Sequence, residues 1–179
     1  MPRTELHHRQ LDLRFYARDD GLYEVEGRLV DRKPQPFRPQ LAQVDTPPGA
    51  AIHDIVVTLV VDADLCVHDA SAKMPATPYG DCQGAAHTLA PLKGLRMGAG
   101  WNRRVRELLG GAASCTHIVE LMGPMATTAF QGLAPQYLTT INRPESEALR
   151  QAKVDSCYSY AGHREVVKRL WPHLGRPQP

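Results

Sequence analysis

No apolar run in this sequence approaches the roughly 20 residues that a membrane-spanning helix needs. The opening stretch Met1-Pro2-Arg3-Thr4-Glu5-Leu6-His7-His8 has no apolar signal region either. The cytoplasm, where thiols stay reduced, is therefore the expected compartment. An excess of one charge is also lacking, since the formal net charge is only +2. That balance argues against nucleic acid as a partner, and the basic cluster Trp101-Asn102-Arg103-Arg104-Val105-Arg106 reads as the solvated face of a short helix. Cysteine is sparse, at four residues, and no Cys-x-x-Cys pair occurs. In a reducing compartment such cysteines are expected as ligands, nucleophiles or core residues rather than bridges. The glycine-rich run Gly94-Leu95-Arg96-Met97-Gly98-Ala99-Gly100 lacks the Lys-Ser/Thr ending of a phosphate loop and the full dinucleotide fingerprint. Internal repeats are absent.

What is present is ordinary for a globular chain: 42% hydrophobic and 22% charged residues over 179 positions, enough to bury one core without disulfides. A single domain over residues 1–179 is expected. With membrane and nucleic acid set aside, the partner is a small molecule or another protein, and a homo-oligomer is compatible with the composition.

Leu11-Asp12-Leu13-Arg14-Phe15 and Tyr23-Glu24-Val25-Glu26-Gly27-Arg28-Leu29 alternate apolar and polar residues around the turn Arg18-Asp19-Asp20-Gly21. They predict an antiparallel hairpin with one wet face, within residues 6–31. Residues 32–51 carry Pro34, Pro36, Pro39, Pro47 and Pro48, too dense for a helix or a central strand, and predict a long loop or flap. Ile55 to Val61 is apolar on both faces, as a central strand is. On a regular strand Asp54, Val56 and Thr58 share one face and His53 takes the other. Asp62-Ala63-Asp64 then turns the chain into a return strand from Leu65 to Met74.

The second half is helical in pattern. Asp81 is placed to cap a helix through Cys82, Ala85, Ala86 and Leu89, Trp101 to Leu109 forms a short amphipathic helix stopped by Gly110-Gly111, and Ser114 is placed to cap a helix with Ile118, Leu121, Met122, Met125 and Ala129 as its core stripe. Pro124 inside that helix frees the Glu120 carbonyl and predicts a kink. Two further helical pieces, Glu145 to Ala152 and Gly162 to Trp171, fall within a C-terminal region over residues 145–172. Strands first and helices after imply an α+β fold, with an antiparallel sheet carrying helices on one face.

The residues with chemistry are Asp54 and His53 at the start of the central strand, and Cys82 and Cys115 at two helix starts, where the exposed N–H groups favour a thiolate. Oxygen, nitrogen and sulfur donors in fours suit tetrahedral zinc. Simple packing is the competing reading for each thiol. His117, two residues after Cys115, shares a ligand with it only if Cys115 lies in the cap; otherwise it is a surface or outer-shell residue. Glu120, one turn on, makes a His117–Glu120 acid/base pair or merely complements the helix dipole. Cys66 reads as packing, Cys157 as an outlying ligand or redox thiol, and His68 and His87 as structural or exposed.

Two resemblances rest on these residues. Gly21 to Leu29, His53-Asp54, Gly94 to Gly98, Trp101, Cys115-Thr116-His117 and Gly123 to Phe130 resemble a bacterial family catalogued only as a domain of unknown function (DUF). The block from Asp54 to Ala129 is similar, more remotely, to the U-type iron–sulfur scaffold proteins (IscU- and SufU-like). There Asp54, Val67-His68-Asp69-Ala70, Cys82-Gln83-Gly84-Ala85 and Cys115 match the family's aspartate, second strand, middle cysteine and last cysteine. The family's first cysteine falls at Ile52, and Ser114 stands where its histidine precedes the last cysteine. The likeness implies an IscU-like core over residues 52–132, with the N-terminal hairpin added. It also implies a metal site of Asp54, Cys82 and Cys115 with His53 or His117 as fourth ligand, holding zinc or an iron–sulfur cluster. A zinc-dependent hydrolase or lyase with His117 or Glu120 as acid/base is the alternative, and a metal-free interaction module is the third.

Overall fold

The computed structural model describes residues 1–178. The chain folds as two compact units, one from Met1 to Gly132 and one from Leu133 onward. The first unit is built on an antiparallel sheet of β1 (His8–Ala17), β2 (Tyr23–Arg32), β3 (Ala51–Val61) and β4 (Val67–Ala76), in that spatial order. The N-terminal hairpin is continuous with β3 and β4, so the four strands form one meander. Val25, Leu29, Ile55, Val57 and Leu59 are fully buried. Arg28, by contrast, is exposed and Thr58 half-buried, which leaves a partly wet second face.

α2 (Thr116–Gly132) packs on β1, β2 and β3, and α1 (Trp101–Leu109) packs on α2. Ile118, Leu121, Met122, Met125 and Ala129 are all fully buried, each large side chain contributing about 1.5–3 kcal/mol of burial. The Trp101 indole N–H donates to the Met122 carbonyl at 2.9 Å, which satisfies the polar end of a buried ring. α2 runs through Pro124 as one helix. Gly27 lets α2 approach β2 closely: a Cβ there would lie 2.8 Å from Met125 Sδ and 2.9 Å from its Cγ.

Several local expectations are corrected. The segment opened by Gly80 is a 3-10 helix, Gly80–His87, that begins after Tyr79 with no side-chain cap from Asp81. Its residues are small and mostly exposed, so it has no apolar face to hold a full α-helix against the sheet. Ser114 does not cap α2, because its Oγ lies 2.6 Å from Thr88 Oγ1 instead. Cys115 occupies the position before the first helical residue, and its carbonyl accepts from the Val119 N–H at 3.1 Å. The proline-rich stretch has one short bridge of its own, Phe37 to Thr46.

The second unit holds α3 (Ala134–Ile141), α4 (Glu147–Lys153) and α5 (Glu165–Leu170). α3 has no counterpart in the sequence reading, although Pro135 in its first turn is a helix-start signal. Arg150 is buried and donates to the carbonyls of Ile141, Arg143 and Pro144 at 2.8–2.9 Å. Among the described residues, no helix is long and apolar enough to cross a membrane.

The close approach at Gly27 yields a test. Gly27→Ala should cost about 1–3 kcal/mol, because the added methyl must displace Met125 from a filled core. Urea unfolding should show a lower midpoint with an unchanged slope; an unchanged midpoint would mean that Met125 swings aside freely.

Candidate metal centre

Arg9 on β1, Asp31 near the end of β2 and His53 at the start of β3 are direct cross-strand neighbours. Cross-strand partners share a face, so the pairing register alone places three functional side chains in a row. The face is the one that α2 covers, and the first turns of α2 add His117 and Glu120, three residues apart.

Asp31 is the hub. Its side chain is 2% exposed. Arg9 grips it with two bonds, Nε to Oδ1 at 2.7 Å and a terminal nitrogen to Oδ2 at 2.8 Å. His7 Nε2 lies 3.0 Å from Oδ1, His53 Nδ1 lies 3.1 Å from Oδ2, and His117 Nε2 lies 3.6 Å from Oδ2. The remaining Arg9 nitrogen donates to Glu120 at 2.6 Å. The two imidazoles are 4.0 Å apart between ring centres and tilted by 38°. On the far side of the His117 ring, Nδ1 lies 3.6 Å from Cys115 Sγ.

The charges follow from these contacts. Burial raises the Asp31 carboxyl, but the Arg9 bonds and charge outweigh it and hold the group down at about 2. His53 is lowered mainly by burial, against the pull of Asp31. His117 is lowered by burial, then by repulsion from His53 and Arg9. At neutral pH the group is thus an ionised carboxylate with two neutral imidazoles, the protonation state that metal binding requires.

Asp31, His53 and His117 each offer one ligand atom, and these atoms lie within 4.8 Å of one another. A tetrahedral zinc with bonds of about 2.0–2.1 Å separates its donors by roughly 3.3 Å. The spacings of 3.1 Å and 3.6 Å about Asp31 Oδ2 bracket that value. The group could therefore hold a metal ion after small side-chain movements.

Beside it lies a cleft of about 520 Å³, lined by His53, His117, Cys82 and Cys115 together with small and apolar residues such as Met74, Pro78 and Ala85. Three of the four ligands expected from sequence, His53, Cys82 and Cys115, thus border one space. Asp54 does not. It points to the opposite face of β3, where Arg28 holds both of its oxygens at 2.8 Å and 2.6 Å. The carboxylate of the group is Asp31, near the end of the hairpin's second strand and not among the ligands expected from the sequence. Glu120 is tied to Arg9 and lines a neighbouring groove of about 350 Å³. Cys66 and Cys157 are not among the residues lining the cleft.

Among known families, the model of one described as "Protein of unknown function (DUF2889)" matches residues 7–131, which include every member of the cluster. No curated protein and no solved structure matches the chain.

The lowered histidines and the lowered Asp31 act on stability with the same sign. Each binds a proton more readily when unfolded, so stability is full above the unfolded value and falls as pH drops. The histidine contribution should begin to fade below pH 6.5. The Asp31 contribution should be lost between about pH 4 and pH 2. Allowing for screening through the open cleft, Asp31 contributes about 1–2 kcal/mol. Metal-free protein melted across this range should show both declines; Asp31→Asn should make the lower one shallower, the other lowered carboxylates such as Asp62 and Asp155 keeping the rest.

Proposed function

Because the chain belongs to the DUF2889 family, whose description names no activity, we propose a function from the site itself: a zinc-binding protein whose ion sits between Asp31, His53 and His117, with one position open to the cleft. The observation that carries this is that two neutral ring nitrogens lie 3.1 Å and 3.6 Å from one charged carboxylate oxygen, with all three atoms within 4.8 Å of one another. Three protein ligands beside an open position form the pattern of catalytic rather than structural zinc sites. A zinc-dependent hydrolase or lyase acting on a small molecule is therefore the favoured activity.

Each side chain has a definite part. Arg9 orients the Asp31 carboxylate through its two-bond fork and leaves a lone pair on Oδ2 for an ion. Cys115 Sγ is a partner for the outer nitrogen of His117 and so fixes the ring's rotation. In this reading His117 is a ligand and not an acid/base, and Glu120 acts through Arg9. Zinc, when bound, supplies Lewis acidity to a substrate carbonyl or to water. An iron–sulfur species is less well matched, since such clusters depend on thiolates. Cys82 and Cys115 are the two thiols lining the cleft, and the oxygen–nitrogen set lies apart from the U-type pattern built on Asp54. Four free cysteines suit the cytoplasm as the working compartment.

A second reading has its own observation. Cys115 Sγ, His117 and Asp31 lie in sequence, with 3.6 Å at each step, as a nucleophile, a base and an orienting carboxylate do. This reading makes Cys115 the attacking atom on an acyl substrate in the cleft.

Elemental analysis decides between them. Purified protein should carry about one zinc per chain, and His53→Ala and His117→Ala should each lose at least ten-fold in zinc affinity. Asp54→Asn and Cys82→Ser should bind zinc as the parent does. Zinc retained in the His53→Ala/His117→Ala double variant would end the zinc reading. Rapid alkylation of Cys115 in zinc-free protein, slowed by His117→Ala, would favour the thiol reading.

A further inference from the structure

We propose that the cleft receives a small monocarboxylate with an apolar body, its carboxylate completing the shell of the ion and its tail lying along the cleft wall; this rests on the zinc reading above. The charge balance points to an anion. Arg9 carries one positive charge, Asp31 and Glu120 one negative charge each, and a divalent ion two positive, so the ion's immediate surroundings keep one positive charge, while the cleft's own carboxylate, Asp81, is exposed and screened by solvent. The Arg9 fork is consumed by Asp31 and Glu120, so it cannot act as an anion clamp inside the cleft. The ion's open position is therefore the natural anchor for the ligand's charge.

The cleft also selects the number of charges and the shape of the rest. Its lining residues include neither lysine nor arginine, and the acidic one, Asp81, is exposed and repels a second negative charge. A monoanion neutralises the ion's immediate surroundings, whereas a phosphate dianion overshoots them and meets Asp81 as well. The Thr88 hydroxyl donates to the Ala85 carbonyl at 2.8 Å and lies 2.6 Å from the Ser114 hydroxyl, so both hydroxyl protons are committed within the wall. Met74, Pro78, Ala85, Ala112 and Ala113 provide an apolar wall instead. A volume of about 520 Å³ lies in the range of small-molecule sites, and an aliphatic or aromatic acid of modest size suits it.

Cobalt(II) in place of zinc gives a visible-absorbing probe of the ion's own shell. Protein loaded with cobalt should be titrated with hexanoate, acetate, hexanamide and inorganic phosphate. Hexanoate should shift the cobalt bands saturably and bind about ten-fold or more tighter than acetate, because each buried methylene adds affinity. Hexanamide and phosphate should bind more weakly than hexanoate. Ala85→Trp and, as a more exposed alternative, Ala113→Trp should fill the wall and bring hexanoate down to the level of acetate with the cobalt bands intact. Cobalt bound normally but hexanoate no tighter than acetate, or phosphate tighter than both, would overturn the proposal while leaving the metal centre standing. Failure of cobalt to bind would overturn the metal centre and the proposal with it.

Discussion

The Arg9 guanidinium touches β1's own neighbour β2 and the first turns of α2 at once, through Asp31 and Glu120. An unpaired carboxylate at a position as buried as Asp31 would cost several kcal/mol, or would give up its charge. The two-bond fork keeps Asp31 ionised where the fold needs it, and such forks fix geometry as well as energy. The third nitrogen reaches Glu120 in the first turns of α2, beside the buried stripe from Ile118 to Ala129 that holds the helix on the sheet. The arrangement about Asp31 thus depends on Arg9, which is not among the three residues that could hold an ion, and on the packing that brings His117 over His53.

Much of the frame was legible in the residues. Alternation over Leu11 to Phe15 and Tyr23 to Leu29 marked the hairpin, the doubly apolar run after Asp54 marked the central strand, and the stripe from Ile118 to Ala129 marked the helix on the sheet. Period-2 alternation also put His53 and Asp54 on opposite faces. The site was read less well for a physical reason. A side-chain cluster built across strands depends on pairing register, and register is set by the hydrophobic pattern and turn geometry of whole strands rather than by any local spacing. Asp31 follows the buried Leu29 and Val30 and has no motif around it; only its place opposite Arg9 and His53 reveals it. The signal that was available lay in His53 itself. Once its face was known to be that of α2, the carboxylate had to come from that face, which Asp54 does not share.

Cys82 illustrates the converse. Its expected helix is a short 3-10 segment of small residues, with no stripe to bury. The thiol nevertheless borders the same cleft as Cys115, because the segment packs against β4, where Gln83 Nε2 donates to the Met74 carbonyl at 2.9 Å. Proximity in space here does not depend on the type of helix, since the packing against β4 delivers the segment.

The two readings of the site meet at one ring. An ion on His117 Nε2 leaves the ring proton on Nδ1, and His117 then donates toward Cys115 Sγ. In the tautomer with the proton on Nε2, toward Asp31, Nδ1 is free to accept from the thiol. The same 3.6 Å contact is therefore an orienting bond in one state and a base–nucleophile contact in the other. No rearrangement of the backbone separates them; only the occupant of a single nitrogen does. His117 cannot serve both proposed chemistries at the same moment, so the metal content of the protein is the quantity that separates the two readings.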